Sequence, residues 1–284
     1  LVWGSTWFVV RAGLGEMQPF GSGGLRFFLA WVLMLAVAPW IARKEGGAPP
    51  TLRLVVVMAS GNFAISYGIV YWAEQTLPSG LTAVLWAVFP MMTAFVAQLQ
   101  GVEARLRGLQ WCGLAVGFVG VVLLFLTDVR SVGGDAVERG LVLLLSPLVS
   151  AFSTAYVKRH GAHVSAALLN RSALLLGSLM LLGASLVVEG GVSLPSTSTG
   201  AFGVLYLALF GTVLTFTLYF WVLRQASTVA LSLIAYVTPA IALVVGAMLG
   251  EESVTRWTLV GLTLVLLGCG LVLRRPPQDG PVKG

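Results

Sequence analysis

The chain has 284 residues, of which 57% are hydrophobic and only 10% charged, with a mean hydropathy of +0.92. Soluble domains are roughly half apolar and a quarter charged, so a soluble enzyme is excluded and a polytopic membrane protein is expected. The net charge of +6 is spread over short loops rather than gathered on one face, which argues for membrane orientation and against a nucleic-acid partner.

About 20 residues cross about 30 Å of hydrocarbon, and the chain divides at charges and Gly/Pro clusters into ten predicted spans. The first, Leu1–Leu14, opens without Met inside an apolar run. It reads as a truncated helix rather than a signal peptide, because no small-residue cleavage site follows. Pro19–Ala42, Leu54–Gln75, Ser79–Leu99 and Gly108–Leu126 complete the first five. The segment 127–139, with Gly133-Gly134 and the acids Asp128, Asp135 and Glu138, reads as a periplasmic linker. Gly140–Val157, Ala166–Val188, Gly200–Leu223, Thr228–Leu249 and Trp257–Leu273 follow, and 274–284 forms a cytoplasmic tail. Lipid cannot satisfy exposed backbone groups, so these spans are helices, and short connections make successive ones antiparallel. Cys112 and Cys269 both lie in apolar runs and read as small buried hydrophobes.

Arg43, Lys44, Arg53, Arg105, Arg107, Lys158, Arg159, Arg224, Arg274, Arg275 and Lys283 fall in loops on one side, and Arg130, Arg139 and Arg256 on the other. Basic loops stay in the cytoplasm, so the first side is inside and both termini are cytoplasmic.

The chain repeats itself. Tyr71-Trp72, Pro90, Gly101 and Glu103 answer to Phe220-Trp221, Pro239, Gly250 and Glu252. Ser5-Thr6, Val9 and Arg11 answer to Ser153-Thr154, Val157 and Arg159, and Gly113 and Gly120 to Gly261 and Gly268. The halves are 1–126 and 140–273. Five spans per half is an odd number, so the second half enters the membrane from the opposite face and the repeat is inverted. Such repeats are the mark of secondary transporters that rock around a site near the bilayer midplane.

Trp3-Gly4-Ser5-Thr6-Trp7-Phe8-Val9, Pro19, Arg26-Phe27, Leu77-Pro78-Ser79-Gly80, Pro90 and the glycine-rich end of each half resemble the drug/metabolite transporter superfamily, EamA type. The resemblance covers nearly the whole chain. It implies ten helices in two inverted halves, cytoplasmic termini, and export of amino acids or related metabolites from a bacterial inner membrane.

A site at the midplane needs polar groups and helix breaks that line a cavity. Pro90 and Pro239 are kinks or hinges there. Glu74 is the sharpest candidate: it either reaches interfacial water from its helix end, or binds a substrate ammonium or a coupling proton. Its counterpart is Leu223, so a scaffold role shared by both halves does not explain it. Arg26 and Arg171 either snorkel to the headgroups or pair with backbone carbonyls, or they grip an ion or a substrate carboxylate. Arg11 and Arg159 read as interfacial anchors, and Glu103 and Glu252 as caps or loop ion pairs. The cavity wall is expected from Trp7, Asn62, Tyr71, Trp86, Tyr156 and Tyr236 together with Glu74, with Ser5, Thr6 and Ser153 nearby; helix packing is the alternative for each. The fifth and tenth spans, rich in glycine, are expected to pack closely away from the substrate.

His160 and His163 lack a third partner for a metal, and Asn170-Arg171-Ser172 lies in or beside a span where glycosylation is not feasible. No P-loop provides ATP drive and no catalytic set is visible, so neither a cofactor nor a metal is expected. The expected function is a secondary active transporter, working as an exporter by alternating access. Its expected partners are a small-molecule substrate, membrane lipids, and H+ or another ion, in a monomer or homodimer. A passive channel and an intramembrane enzyme are the alternatives; the first calls for a filter or charged ring, the second for a midplane nucleophile or metal.

Overall fold

The computed structural model describes residues 2–77, 79–124, 134–238, 240 and 256–274. Pro78, Pro239, Gly250, Glu252, the linker positions 127–133 and the tail from Arg275 lie outside them.

The described chain is helical in the order α1 (Val2–Gly13), α2 (Pro19–Glu45), α3 (Leu52–Glu74), α4 (Ser79–Leu99), α5 (Gly108–Leu124), α6 (Val137–His160), α7 (Ala166–Glu189), α8 (Ser198–Leu223), α9 (Thr228–Thr238) and α10 (Arg256–Leu273). It is an all-α membrane protein. Among the described residues, α2, α3, α4, α6, α7 and α8 are long and apolar enough to cross a bilayer, while the apolar stretches in α5, α9 and α10 are shorter. Large apolar side chains such as Phe8, Val187 and Phe202 stand 70% or more exposed, an arrangement suited to lipid rather than water.

Helix ends follow from local chemistry. Pro19 opens α2, where its missing N–H is no loss. The helix runs past the predicted Ala42 to Glu45, because Arg43 and Lys44 are favoured by the negative end of the helix dipole. Gln18 makes no side-chain cap; instead Glu189, at the end of α7, accepts from the N–H groups of Phe20 and Gly21 at 2.8 and 3.0 Å. The reverse holds at the other end: Glu45 accepts from Ser165 Oγ and, at 2.9 Å, from the Ala167 N–H in the first turn of α7. Thus α2 and α7 lie antiparallel, each finishing in a carboxylate that satisfies orphan donors of the other.

These two helices pack extensively against each other, as do α5 and α10. At the second contact a Cβ on Gly268 would lie 2.5 Å from the Gly117 nitrogen and 2.6 Å from the Gly113 oxygen, so backbone meets backbone there. This is the close glycine packing expected of the fifth and tenth spans, and neither helix reaches the central cavity described below.

Both α3 and α8 are interrupted midway by π-helical turns, Ala59–Ile65 and Leu209–Leu214, at matching places in the two halves. Helix α4 breaks between Trp86 and Phe89, so Pro90 stands in the first turn of the second segment, where its ring disturbs no internal bond. A similar break separates Gly134–Leu143 from Leu145–His160, ahead of Pro147.

Candidate functional site

A cavity of about 90 Å³ lies among α1, α2, α3, α4, α6, α8 and α9. The π turn of α3 puts a polar side chain into its wall, and that of α8 holds a lining residue, Arg26. A π turn widens the helix and releases backbone carbonyls from the regular ladder, and such bulges concentrate at functional sites.

In α3 the π turn carries Asn62, 4% exposed. Its Nδ2 donates to Ser153 Oγ at 2.6 Å, and its Oδ1 accepts from Ser150 Oγ at 2.8 Å and Thr154 Oγ1 at 3.2 Å. The three hydroxyls share one face of α6 at i, i+3 and i+4 spacing. Gly61 lets this face approach, since a Cβ there would fall 2.5 Å from Ser153 Cβ. Ser153 Oγ in turn donates to the Val57 carbonyl at 3.0 Å.

In α8 the π turn carries Gly211 and Thr212, and both hold Arg26 of α2. Arg26 is 1% exposed. Its Nε donates to Thr212 Oγ1 at 2.8 Å, its Nη2 to the Gly211 carbonyl at 2.9 Å and its Nη1 to the Tyr71 hydroxyl at 3.4 Å. The guanidinium also stands 5.0 Å from the ring centre of Tyr67 and 5.5 Å from that of Phe27. A Cβ on Gly211 would come 3.2 Å from Nη2, so the glycine makes room for the cation. Arg26 forms no ion pair among the described residues. No described lining residue is acidic.

The rest of the wall is mostly aromatic and apolar. Trp7 and Trp86 face each other with ring centres 6.3 Å apart, and Trp86 Nε1 donates to Ser146 Oγ at 3.0 Å. Trp3, Tyr67, Phe89, Phe216 and Tyr219 are its other aromatic members, with Val10, Val70, Ala83 and Ile234 between them.

Of the residues singled out from sequence, Trp7, Asn62, Trp86 and Arg26 line this cavity. Tyr71 sits behind Arg26, fully buried, touching it through the hydroxyl. Glu74, one turn further along α3, is 1% exposed and lies off the cavity, and neither carboxylate oxygen has a hydrogen-bond partner among the described residues. Tyr156 stacks on His160 with ring centres 4.2 Å apart and lies beneath Arg53. Tyr236 donates to the Leu114 carbonyl at 2.8 Å and packs against Gly117, while its neighbours Ile234, Ala235 and Thr238 face the cavity. Arg171 is half-buried in the first turns of α7 and also lies off the cavity. Pro90 is buried beside the lining residue Phe89, and Pro239 is outside the described residues.

The anchors and caps fall at helix ends. Arg11 donates to the Leu77 carbonyl beyond α3, and Lys158 to the Leu223 and Ala226 carbonyls at the end of α8, at 2.7 and 3.0 Å. Arg159 donates to the Gln100 carbonyl at 2.5 Å. Glu103 accepts from the Thr228 N–H at the start of α9 at 2.5 Å. Trp3, Tyr67, Phe216, Tyr219 and Thr212 were not reached from sequence. The polar face Ser150, Ser153, Thr154 was the legible signal for Asn62's partners; the aromatic residues have none apart from helical register.

The sequence pattern of the EamA-like transporter family matches residues 1–126 and 140–274. The chain is 31% identical to the inner membrane transporter YedA of Escherichia coli K12, over 97% of this chain and 90% of that one. It is 26% identical to a Salmonella typhimurium protein named as a probable amino-acid metabolite efflux pump, over 94% of this chain and 90% of that one. A protein of known crystal structure, 16% identical, superposes with a TM-score of 0.77 over 96% of this chain and 93% of its own, which shows the shared fold. The chain therefore belongs to the EamA-like transporter family.

Proposed function

We propose that this protein is a secondary active transporter that exports amino acids or related small metabolites across a bacterial inner membrane by alternating access. Its two halves, 1–126 and 140–273, form an inverted pair with both termini cytoplasmic, and the solute binds in the cavity lined by Trp7, Asn62 and Trp86. The observation that carries this reading is the cavity's construction: each half supplies a π turn at the matching place, and polar groups cross from one half to the other, Arg26 to Thr212 and Asn62 to Ser150. A rocking motion of the halves would make and break these contacts. The relative named as a probable amino-acid metabolite efflux pump supports export, and the one named as an inner membrane transporter supports the location. Glu74, buried without a hydrogen-bond partner among the described residues, is the proposed carrier of the coupling proton.

A metabolite-efflux screen of overexpressing cells would identify the solute, and counterflow of that labelled solute in proteoliposomes tests the mechanism. Unlabelled solute on the far side should accelerate uptake. Uptake without such acceleration would mark a passive channel.

A further inference from the structure

From the charge distribution of the cavity we infer the chemical class of its ligand: a small monocarboxylate with an uncharged apolar body, held at its carboxylate by Arg26. The inference rests on the cavity being the transport site, and among the solutes proposed above it selects amine-free acids related to amino acids over the amino acids themselves. Arg26 is the one charged side chain among the described lining residues, and none of those residues is acidic. Its hydrogen-bond partners, Thr212 Oγ1, the Gly211 carbonyl and the Tyr71 and Tyr67 hydroxyls, are all neutral. Together these contacts engage four of the guanidinium's five N–H donors and fix its plane, leaving one for a ligand carboxylate.

Buried Glu74 lies within electrostatic reach of Arg26 but makes no ion pair with it, so the cation lacks a contacting counter-charge, which is costly; a ligand carboxylate offsets that cost while an ammonium adds to it. One guanidinium balances one negative charge, so a monoanion fits better than a phosphate dianion. Trp3, Trp7, Trp86 and Phe216 suit an apolar body, and no described carboxylate is present to receive an amine.

The test uses the full-length protein in detergent and four probes of similar size: 4-methylpentanoate, its neutral amide 4-methylpentanamide, leucine and 3-methylbutylamine. Binding is read by calorimetry and by fluorescence of the cavity tryptophans. The carboxylate should bind about 10- to 100-fold tighter than the amide, the range of a charge-assisted hydrogen bond, and tighter than leucine or the amine. Arg26→Gln should bring carboxylate and amide to parity, and Arg26→Lys, which keeps the charge but loses the fork, should retain part of the preference. Should Arg26→Gln fail to fold, the wild-type probe series and Arg26→Lys decide the matter. Ala235→Phe, which fills the cavity, should weaken every probe. Tighter binding of leucine or the amine, still sensitive to Ala235→Phe, would overturn the carboxylate class and leave the cavity as the transport site. Binding insensitive to Ala235→Phe, or no binding at all, would overturn both.

Discussion

Replacing Asn62 by leucine removes one side chain of similar size and three hydrogen bonds, those to Ser150, Ser153 and Thr154. Two limits bracket the cost. If the stranded hydroxyls stayed unpaired, each would cost about 1–3 kcal/mol. Ser153, however, keeps the Val57 carbonyl as acceptor, and Ser150 and Thr154 can turn to carbonyls of their own helix. Interhelical hydrogen bonds in membranes couple by about 0.6 kcal/mol on average and about 1.7 kcal/mol at most. Three such bonds give about 2 kcal/mol for Asn62→Leu. Reversible denaturant unfolding in micelles, followed by circular dichroism, measures this directly. The cycle with Ser150→Ala should then show a coupling near 0.6 kcal/mol, about the membrane average. Strict additivity of the two substitutions, or a cost for Asn62→Leu below about 0.5 kcal/mol, would refute the view that this network joins α3 to α6.

Further outcomes are expected elsewhere. Glu74→Gln should abolish the pH dependence of proteoliposome transport while solute exchange continues; retained pH-driven transport would remove Glu74 from the coupling path. Gly268→Leu should destabilise the α5–α10 pair by about 1–3 kcal/mol or more, since the added Cβ meets backbone rather than movable side chains, and a lower melting temperature in detergent would register it. Glu16, in the loop before α2, accepts hydrogen bonds from Thr197 and Ser196, which hold its carboxyl below the ordinary 4.5. A depressed folded value adds stability above the unfolded value and loses it as pH falls through the folded one. Glu16→Gln should therefore flatten the acid limb of the stability profile below pH 4.5, and an unchanged limb would show that these bonds do not favour the folded state. Cysteines placed at the repeat-related positions Ala104 and Ser253 should label from opposite faces of the membrane; labelling from one face would refute the inverted arrangement.

Much of this molecule can be read before any coordinates exist. Composition names the solvent, because a chain this apolar and this poor in charge has nowhere to go but lipid. The glycines of α5 and α10 announce a close helix pair, since only residues without side chains let backbones meet. Asn62 and Arg26 stand out because a polar group inside an apolar run must find partners. The π turns were not legible: Gly61-Asn62 and Gly211-Thr212 are small and polar, but a widened turn depends on what packs against it, here Ser153 on one side and Arg26 on the other.

Which face of each helix meets the cavity was settled by packing alone. In water, hydropathy marks the inward face; in a membrane, lipid tails are as apolar as leucine, so the outward and inward faces read alike. Tyr71 and Glu74 were therefore grouped with Trp7 and Trp86 as wall residues, yet the rotation of α3 turns Tyr71 behind Arg26 and carries Glu74 off the cavity. The chain order of residues prescribes helices, their ends and their duplication, all of which are local or periodic properties. The pairing of Arg26 with a π turn 185 residues away, and the lone positive charge it leaves in an aromatic cavity, arise only when the two halves close on each other.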